Sequence, residues 1–550
     1  MIYPKIPLAQ SLIEICKEKG IQHIVISPGS RNAPLTIGFA NNSFFTCYSI
    51  VDERCAAFFA MGMAQQLRQP VAVVCTSGSA LLNYYPAVAE AFYSQIPLVV
   101  LSADRPHDKI DIGDGQTIRQ ENVFANHSLF NANLSEEASL ENDTLINEAL
   151  NTALTQSGPV HINVPFEEPL YDTVEALSVV PKIVPPTVVE TPFELTDAHL
   201  EIWNTAKRKL ILVGELFPNT VEDAIIEQWA KDESVVVLTE KTSNLHHPTF
   251  IAKIDTLITP FTDADFDKFQ PEVLLTFGGM VVSKRIKAFL RRFTPKAHWH
   301  IDTLRAYDTF GCLTEHFTTT PNAFFKALLV KSKEVSSTYK SDILTIFNDR
   351  KTKHQAYVSG IPFSDFKAFE IISKKLPQNS QLQMSNSSAI RYLQLVDVHA
   401  SVSVFCNRGT SGIDGSTTTA IGAALATAAP TVLVTGDISF FYDSNALWNN
   451  YIPANFKIIL INNGGGGIFR ILPGHKENAT FNTYFETSHG LTAEHLAKMF
   501  HFNYAVAKDE ATLETQLQQF FTENDKPMIL EVFTPEKVNN TILLDYFKNL

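Results

Sequence analysis

The chain has 550 residues, of which 45% are hydrophobic and 19% are charged; this composition excludes wholesale disorder and predicts about three or four domains. Its 44 basic and 58 acidic residues give a net charge of −14, which argues against a nucleic-acid-binding protein but leaves room for a local basic pocket. The six cysteines form no CxxC pair, and the sequence shows neither a signal-peptide pattern nor a long apolar run. We therefore expect a cytoplasmic protein with reduced thiols and no membrane span.

Short apolar strands alternate with helical segments through the first third of the chain. Segments that begin at His23 (HIVIS), Val71 (VAVVC) and Pro97 (PLVVLSA) predict strands, and FTCYSI predicts another shortly before Glu53. This alternation indicates a parallel sheet covered by helices on both faces. Near residue 178 the Pro- and Val-rich segment LSVVPKIVPPTVVETPFEL has no helical period and predicts an extended linker.

Two further α/β blocks follow the linker. In the second block strands are predicted at KLILVG, SVVVLT, VLLTFGG and AHWHID, before a polar, helical segment from about Val335 to Phe363. In the third block strands are predicted at VSVFCN, PTVLVTGD, FKIILINN and PMILEVF. We therefore predict an α/β fold of three doubly wound parallel-sheet domains, over residues 1–178, 179–345 and 346–550.

The strongest chemical signal is a pair of strand ends in the third block. The strand TVLVTGD ends at Asp437, and the strand IILINN ends at Asn463, 26 residues later and just before the glycine run 464–467. Because ligands collect at the carboxyl ends of parallel strands, these two turns can face one site. Their carboxylate, amide and carbonyl oxygens suit Mg²⁺. Gly-Asp or Asn-Asn-Gly alone is usually only a turn, but together they resemble the signature of thiamine diphosphate enzymes.

Glu53 supplies a second signal, at the start of the helix that follows the strand FTCYSI. The helix dipole alone usually explains an acidic residue in a first helical turn. Thiamine diphosphate chemistry gives it a further role, because a carboxyl group must hydrogen-bond to the pyrimidine N1′ before the C2 proton can be removed. The apolar residues that follow Glu53 provide the surroundings that such a carboxyl group needs.

Several cationic residues fall in strand-end turns or helix starts of this acidic protein. Each one alone is more often a solvated surface residue. As a set they predict a pocket for a substrate rich in carboxylates, because guanidinium groups bind carboxylates bidentately. The set comprises Arg31, Arg105, Lys284, Arg285, Arg391 and Arg408.

Motifs along almost the whole chain resemble the 2-succinyl-5-enolpyruvyl-6-hydroxy-3-cyclohexene-1-carboxylate (SEPHCHC) synthase family, also called MenD, of menaquinone biosynthesis. They are SPGSRNAPL, DERCAAFFAMGMA, TSGSALLNYYPAVAEA, ADRP, GDGQTIRQ, SKR, SNSSAIR, NRGTSGIDGSTTTAIG and GDISFFYD…NNGGGGIF. The resemblance is thinnest in the second block, where SKR is the main anchor. It implies a thiamine diphosphate enzyme with pyrimidine-binding, central and diphosphate-binding domains.

The resemblance further implies a transferase, EC 2.2.1.9, that uses thiamine diphosphate and Mg²⁺, with Mn²⁺ as an alternative. Such an enzyme decarboxylates 2-oxoglutarate and adds the succinyl-semialdehyde carbanion equivalent to isochorismate in a 1,4 sense. Its product is SEPHCHC, from which pyruvate is not yet eliminated. The family forms active sites at a dimer interface, which implies a homodimer, or a tetramer of such dimers, with Glu53 of one subunit facing the diphosphate site of the other.

Residue roles also follow from the resemblance. Catalytic roles fall to Glu53, Gln116, Ser387 and Arg391. The metal ligands are Asp437, Asn463 and the Gly465 carbonyl. Cofactor-binding roles fall to Glu53, Ser79, Asn83, Arg408, Gly412, Ile413, Gly436, Ile438, Ser439, Gly466 and Ile468. Substrate-binding roles fall to Ser30, Arg31, Arg105, Gln116, Lys284, Arg285, Ser387, Arg391, Arg408, Ile468 and Phe469.

The chain departs from the family at one place, and three other functions are weighed against this hypothesis. The chain has Asn-Asn-Gly-Gly-Gly-Gly where some members have Asn-Asn-Asn-Gly-Gly-Gln, which predicts a loop that is mobile without ligand. Another thiamine diphosphate decarboxylase or carboligase would share the cofactor residues but not the cationic set. A non-catalytic scaffold of the same fold would not need Glu53. A flavin- or nicotinamide-binding protein would need a GxGxxG fingerprint, which the glycine run does not provide.

Overall fold

Three parallel β-sheets, each covered by helices, build the protein and confirm the predicted α/β fold. The computed structural model describes residues 2–187, 193–471, 474, 476–522 and 525–550. Central strands of these sheets are buried along their whole length and mostly apolar, as expected when helices cover both faces of a parallel sheet. None of the helices in the described ranges is long and apolar enough to cross a membrane.

The N-terminal domain holds a six-stranded parallel sheet of order β3-β2-β4-β5-β7-β6 and a small antiparallel pair, β1 and β8. Its strands are β1 Tyr3–Pro4, β2 His23–Ile26, β3 Thr46–Ser49, β4 Val71–Cys75, β5 Leu98–Asp104, β6 Phe130–Asn133, β7 Val160–Pro165 and β8 Thr173–Val174. Its helices are α1 Pro7–Glu18, α2 Ala33–Ala40, α3 Glu53–Leu67, α4 Ser79–Asn83, α5 Tyr85–Ser94 and α6 Leu140–Gln156, with a 3-10 turn at His107–Lys109.

The middle domain holds a five-stranded parallel sheet of order β10-β9-β11-β12-β13. Its strands are β9 Lys209–Val213, β10 Val235–Thr239, β11 Val273–Phe277, β12 Ala297–Ile301 and β13 Glu315–Phe317. Its helices are α7 Asp197–Thr205, α8 Asp223–Lys231, α9 Ile254–Ile258, α10 Asp263–Phe269, α11 Lys284–Arg292 and α12 Pro321–Lys331, with a 3-10 turn at Lys241–Ser243; α13 Tyr339–Gly360 follows.

The C-terminal domain holds a six-stranded parallel sheet of order β15-β14-β16-β17-β19-β18. Its strands are β14 Gln381–Met384, β15 Ser403–Cys406, β16 Thr431–Gly436, β17 Lys457–Asn462, β18 Asn503–Ala507 and β19 Met528–Phe533. Its helices are α14 Asp365–Lys375, α15 Ser388–Leu393, α16 Ser416–Leu425, α17 Asp437–Tyr442, α18 Ala479–Phe481, α19 Glu494–Met499, α20 Glu510–Phe520 and α21 Asn539–Lys548, with 3-10 turns at Ser444–Leu447 and Gly467–Ile471 and a π-helical turn at Asn482–Glu486.

The N-terminal and C-terminal sheets share one connectivity. When only the strands of each six-stranded sheet are counted in chain order, both sheets have the order 2-1-3-4-6-5. The strand ends that can hold ligands therefore occupy corresponding places in the two domains. The helix α13 joins the middle domain to the C-terminal domain, and the predicted boundary at 345/346 falls inside it. Ile343 and Phe347 of this helix pack in the core of the middle domain, whereas Val358 packs in the C-terminal core. Both domain boundaries, 178/179 and 345/346, stay predictions.

The predicted linker between the first two domains has no regular secondary structure where the structure describes it. Residues 177–187 and 193–195 form neither helix nor strand, and residues 188–192 of the predicted linker lie outside the described residues. The chain is held to the first domain in part of this stretch, because Asn147 hydrogen-bonds to the backbone of Lys182 and Val184.

The N-terminal and C-terminal domains pack against each other through α3 and α16. A Cβ atom added at Gly62 of α3 would lie 2.1 Å from the Thr419 carbonyl oxygen, and one added at Gly422 of α16 would lie 2.0 Å from the Phe59 carbonyl oxygen. Only glycine permits two helix backbones to come this close. The helix that begins with Glu53 is therefore fixed to the C-terminal domain of its own chain.

Candidate active site

The two strand-end turns of the C-terminal domain meet, as their adjacent parallel strands require. Asp437 follows β16, and its Oδ2 accepts hydrogen bonds from the Gly464 and Gly465 amides that follow β17, at 2.9 and 3.0 Å. Its Oδ1 accepts a third bond from the Ile438 amide at 2.7 Å. The His489 ring, which the sequence did not indicate, lies 3.4 Å from Oδ2. Asp437 thus organises the glycine run.

The donor atoms around this turn fit a hard divalent cation. Asn463 is oriented by a hydrogen bond from its Nδ2 to Asp365 at 2.9 Å, and a Cβ atom at Gly465 would lie 2.8 Å from the Glu486 carbonyl oxygen, so that position requires glycine. A carboxylate, an amide oxygen and the Gly465 carbonyl oxygen are the ligand types that Mg²⁺ takes. Among the described residues no cluster of His, Cys, Asp and Glu side chains could hold a metal instead.

The loop 407–415 is joined to the same turn. Asn386 donates to the Gly412 carbonyl at 2.7 Å and accepts from Arg408 Nη1 at 2.6 Å. Ser439 donates to the Ile413 carbonyl at 2.6 Å. The structure therefore brings together ten of the residues predicted to hold the metal or bind the cofactor: Arg408, Gly412, Ile413, Gly436, Asp437, Ile438, Ser439, Asn463, Gly465 and Gly466.

Glu90 of the N-terminal domain anchors this loop, and sequence reasoning missed it. Its buried carboxylate accepts hydrogen bonds from the Gly409 amide, the Thr410 amide and the Thr410 hydroxyl, each at 2.7 Å, and from the Ser94 hydroxyl at 2.8 Å. Each of the two carboxylate oxygens accepts two of these hydrogen bonds, and such bonds offset the cost of burying a carboxylate. The only sequence signal was a glutamate within the otherwise apolar helix AVAEAF.

A cavity next to the glycine run gathers predicted substrate residues from two domains. Lys284 and Arg285 of the middle domain line it together with Arg391, Gly467 and Ile468 of the C-terminal domain. Within the described part of the chain, neither the Lys284 nor the Arg391 side chain donates a hydrogen bond, although Asp255 lies near enough to Arg391 to favour its charged form. Burial and the neighbouring Arg408 lower the pKa of Arg391 from its ordinary value, but a guanidinium stays charged at neutral pH.

Ser387 and Phe469 flank this cavity. Ser387 precedes α15 with φ at +66°, a left-handed conformation that costs free energy in a residue other than glycine and is found where a site fixes the backbone. The Phe469 ring packs edge-on against Phe485 at a centroid distance of 6.0 Å. Ser387 therefore has a fixed backbone four residues before Arg391, and Phe469 has a fixed ring next to Ile468.

Two carboxylates shape the start of α11, the buried Glu240 and the half-buried Asp255, and neither was predicted. Glu240 accepts hydrogen bonds from the Val282 and Ser283 amides, both at 2.8 Å to Oε1, and Asp255 accepts one from the Ser283 hydroxyl. Burial raises the pKa of Glu240 to about 7 and raises the pKa of Asp255 as well. These contacts place Lys284, the first residue of α11, at the cavity.

Glu53 begins α3 in the N-terminal domain. Asp52 caps this helix by accepting from the Cys55 amide at 3.1 Å, so Glu53 is not needed as a cap. The Glu53 side chain is half-buried and makes no hydrogen bond to a residue in the described ranges. Ser79 and Asn83, at the two ends of α4, are exposed.

The predicted isochorismate residues of the N-terminal domain differ in how open they are. Arg31 is 4% exposed, and its guanidinium donates to the Phe166 carbonyl at 3.0 Å and to Glu168 at 3.2 Å. Arg105 lies 3.4 Å from Asp114, and Ser30 is exposed. Gln116 is exposed, and its backbone lies next to Gly78. A Cβ atom added at Gly78 would be 3.4 Å from the Gln116 carbonyl oxygen.

A buried polar network fixes the turn after β4. Gln120 accepts from the Gly78 amide at 2.8 Å and donates to Asn163 at 2.9 Å, and Asn163 in turn accepts from Ser102 at 2.8 Å. The Ser102 hydroxyl lies 2.7 Å from Nε2 of His161, a fully buried side chain. Gln120 ends the motif GDGQTIRQ, but no pattern in the sequence indicates that it is buried.

This network predicts a pH dependence of stability. Burial lowers the pKa of His161 from 6.5 to about 3, so between these values the unfolded chain binds a proton that the folded chain does not. The stability that comes from keeping His161 neutral in the folded chain is complete above pH 6.5. It is lost as the pH falls, with a loss of about 2 kcal/mol expected at pH 5. Urea unfolding at pH 7.5 and pH 5 should show that the free energy of unfolding falls less in His161→Gln than in the wild type. The exposed His399→Gln variant is the control, and equal acid sensitivity of wild type and His161→Gln would contradict the prediction.

Comparison with protein families matches all three domains. Residues 6–127 match the thiamine pyrophosphate enzyme N-terminal TPP binding domain, residues 189–384 match the middle domain of thiamine pyrophosphate enzymes, and residues 387–532 match the C-terminal TPP binding domain. Together these matches cover most of the chain.

Curated proteins are similar over the full length. A 2-succinyl-5-enolpyruvyl-6-hydroxy-3-cyclohexene-1-carboxylate synthase from Flavobacterium psychrophilum is 68% identical over 100% of both chains. Proteins of the same name are 52% identical in Christiangramia forsetii, over 100% of this chain and 99% of the relative, and 39% identical in Porphyromonas gingivalis, over 98% and 96%.

Proposed function

Because the chain belongs to the SEPHCHC synthase family of thiamine diphosphate enzymes, we propose that it decarboxylates 2-oxoglutarate and adds the remaining four-carbon unit to isochorismate. The enzyme is a transferase, EC 2.2.1.9, of menaquinone biosynthesis. The addition is of the 1,4 type, and the product keeps its enolpyruvyl group. A cytoplasmic location stays a prediction.

The cavity beside the glycine run carries this proposal. Lys284, Arg285 and Arg391 converge on it from two domains, although the protein as a whole is acidic. Both proposed substrates carry two carboxylates, and the Lys284 and Arg391 side chains, which donate no hydrogen bond within the described residues, can bind such groups in a partly desolvated cavity. A decarboxylase of small apolar oxoacids would have no use for these cations.

The cofactor and its metal fit the donor atoms of the C-terminal domain. When bound, thiamine diphosphate supplies a carbon nucleophile that can stabilise the negative charge left by the loss of CO₂. Asp437, Asn463 and the Gly465 carbonyl would hold Mg²⁺ or Mn²⁺. Residues that surround this group would hold the diphosphate and thiazolium: Arg408, Gly412, Ile413, Gly436, Ile438, Ser439, Gly466 and Ile468.

The chain's own residues would then bind and orient the reactants. Glu53 would hydrogen-bond to the pyrimidine N1′, with Ser79 and Asn83 beside it. Arg391, with Ser387, would bind the carboxylate of 2-oxoglutarate, and Arg408 would assist. Residues that address isochorismate are Ser30, Arg31, Arg105, Gln116, Lys284 and Arg285, with Ile468 and Phe469 as the apolar wall. Arg31 would act mainly through its neighbours, because protein acceptors already take its guanidinium.

A homodimer, or a tetramer of such dimers, would complete the site. Leu82, beside Asn83, is 44% exposed, and Val51, beside the start of α3, is 40% exposed. Tyr442, at the end of α17, is 56% exposed. Large apolar side chains next to predicted cofactor residues of both domains support an interface there. Glu53 of one subunit would face Asp437 of the partner across it.

Two substitutions in the cavity test the assignment of substrates. Arg391→Met should raise the KM for 2-oxoglutarate about 30-fold or more, and Lys284→Met should do so for isochorismate, because removing one partner of a buried charge pair costs about 2–5 kcal/mol. Arg292→Met is the control, since Arg292 lies at the far end of α11 and pairs with Asp263 on the surface. Steady-state kinetics with each substrate varied in turn give the result. Equal effects of Arg391→Met and Arg292→Met would contradict the assignment.

The other decarboxylases of the thiamine diphosphate class are the competing candidates. Turnover of pyruvate is compared with turnover of 2-oxoglutarate in the same preparation. A preference for pyruvate would contradict the proposal that 2-oxoglutarate is the donor substrate. The assignment of thiamine diphosphate as cofactor would still stand.

A further inference from the structure

The turn that carries Glu53 is held by the C-terminal domain of the same chain. Asn445 donates a hydrogen bond to Asp52 at 2.8 Å, on one side of Glu53. On the other side, Arg54 donates to the Tyr442 carbonyl at 3.1 Å, and its guanidinium lies over the Tyr442 ring at 4.8 Å. Both sequence neighbours of Glu53 are therefore anchored by residues 442–445.

Asp443 is the centre of this contact. Its side chain is fully buried and accepts from the Thr418 amide at 2.8 Å and from the Thr418 hydroxyl at 3.0 Å. The Arg54 guanidinium lies 3.5 Å from Oδ1, and the Cys55 thiol lies 4.0 Å from it. Burial raises the pKa of Asp443 to about 6, against the lowering effects of Thr418 and Arg54. One carboxylate thus ties α3, α16 and the end of α17 together.

The Glu53 carboxyl group depends on this anchoring. It makes no hydrogen bond to any residue that the structure describes, so the backbone of its turn sets its place. A misplacement of about 1 Å at a reacting group can cost about 100-fold in rate. A residue that fixes the turn therefore acts on the chemistry without touching the cofactor.

We propose that Asp443 is a positioning residue for Glu53. Its contacts with Arg54, Cys55 and Thr418 hold the turn that carries Glu53 in a fixed place relative to α17. The proposal rests on the function proposed above, in which the Glu53 carboxyl group activates the cofactor. Helix α17 begins with the metal residue Asp437 and ends one residue before Asp443. In the proposed dimer it would thus carry a ligand of one active site and brace the catalytic carboxyl group of the other.

Exchange of the C2 proton of bound thiamine diphosphate with deuterium tests this role, together with the Kd of the cofactor. Asp443→Asn keeps the shape but removes the charge, and Arg54→Met removes the same link from a partly exposed position. Both variants should slow C2 exchange about tenfold or more while the cofactor Kd changes less than about threefold. Because Asp443→Asn can fail to fold, Arg54→Met alone decides in that case.

A control separates positioning from loss of stability. Lys340 of the middle domain is buried and donates to the Ala230 and Asp232 carbonyls, far from Glu53 in the fold. Lys340→Met should lower the melting temperature and leave C2 exchange unchanged. Exchange at the wild-type rate in Arg54→Met and in any folded Asp443→Asn would overturn the proposal, provided that Glu53→Gln slows it. If Glu53→Gln also left exchange unchanged, the proposed function of Glu53 would itself be wrong.

Discussion

Replacing Glu53 with glutamine is expected to lower the turnover number about 10²- to 10⁴-fold, the contribution typical of one acid–base group. Glutamine keeps the size of the side chain but cannot share a proton with the pyrimidine N1′. The helix should remain, because Asp52 provides its cap and Glu53 makes no hydrogen bond within the described part of the chain. The affinity for thiamine diphosphate should therefore change only about threefold or less.

The matched control for this variant is Glu141→Gln. Glu141 also lies in the first turn of a helix, α6, which Ser139 caps, and its side chain is exposed. It should lose only the small helix-dipole contribution of about 0.3–1 kcal/mol to stability, with full activity. Steady-state rates and cofactor titrations of both variants are compared. Wild-type turnover in Glu53→Gln would show that the carboxyl group is assigned wrongly.

Replacing Asp437 with asparagine should weaken the Mg²⁺-dependent binding of thiamine diphosphate about 100-fold, or about 3 kcal/mol. The substitution removes the proposed carboxylate ligand. It also places an amide N–H donor among the Ile438, Gly464 and Gly465 amides, which already donate to this side chain. The glycine run would lose an acceptor at the same time as the metal loses its charged ligand.

Asp509→Asn serves as the control for Asp437. Asp509 caps α20 in the same domain, where it accepts from the Thr512 amide at 2.8 Å on the surface. Cofactor titrations are made with Mg²⁺, with Mn²⁺ and after chelation of both metals. Wild-type protein should lose the cofactor on chelation and regain it with either metal, and unchanged affinity of Asp437→Asn would contradict the metal assignment.

The sequence was sufficient for the three-domain fold and for the strand ends in the C-terminal domain. Hydrophobic runs identify central strands such as β16 and β17, and the ends of adjacent parallel strands must meet. The strands β6 (FNAN), β7 (VHINVP), β13 (EHF) and β18 (NYAVA) were missed because Asn, His, Glu or Ala interrupts their runs of large apolar residues. The polar strand β14 (QLQM) was missed as well, although it is buried.

The supporting carboxylates could not be predicted in the same way. Glu90 and Asp443 bond to residues more than 300 positions away in sequence, so their partners are set only when the domains pack. Glu240 and Asp255 meet Ser283 within the middle domain, from 43 and 28 positions away in sequence, so the fold of that domain sets these contacts. Glu90 and Asp443 lie inside motifs that carry the family resemblance, yet no spacing rule distinguishes a buried anchor from an exposed acid. The mobility of the glycine run without ligand stays a prediction.

The central claim, that this chain joins 2-oxoglutarate to isochorismate, is tested most directly by one reaction mixture. Purified protein is combined with thiamine diphosphate, Mg²⁺, 2-oxoglutarate and isochorismate, and the absorbance of isochorismate is followed together with the release of CO₂. The account predicts that isochorismate disappears, in step with CO₂ release, only when all four additions are present. Release of CO₂ without consumption of isochorismate, or no reaction despite tight cofactor binding, would contradict it.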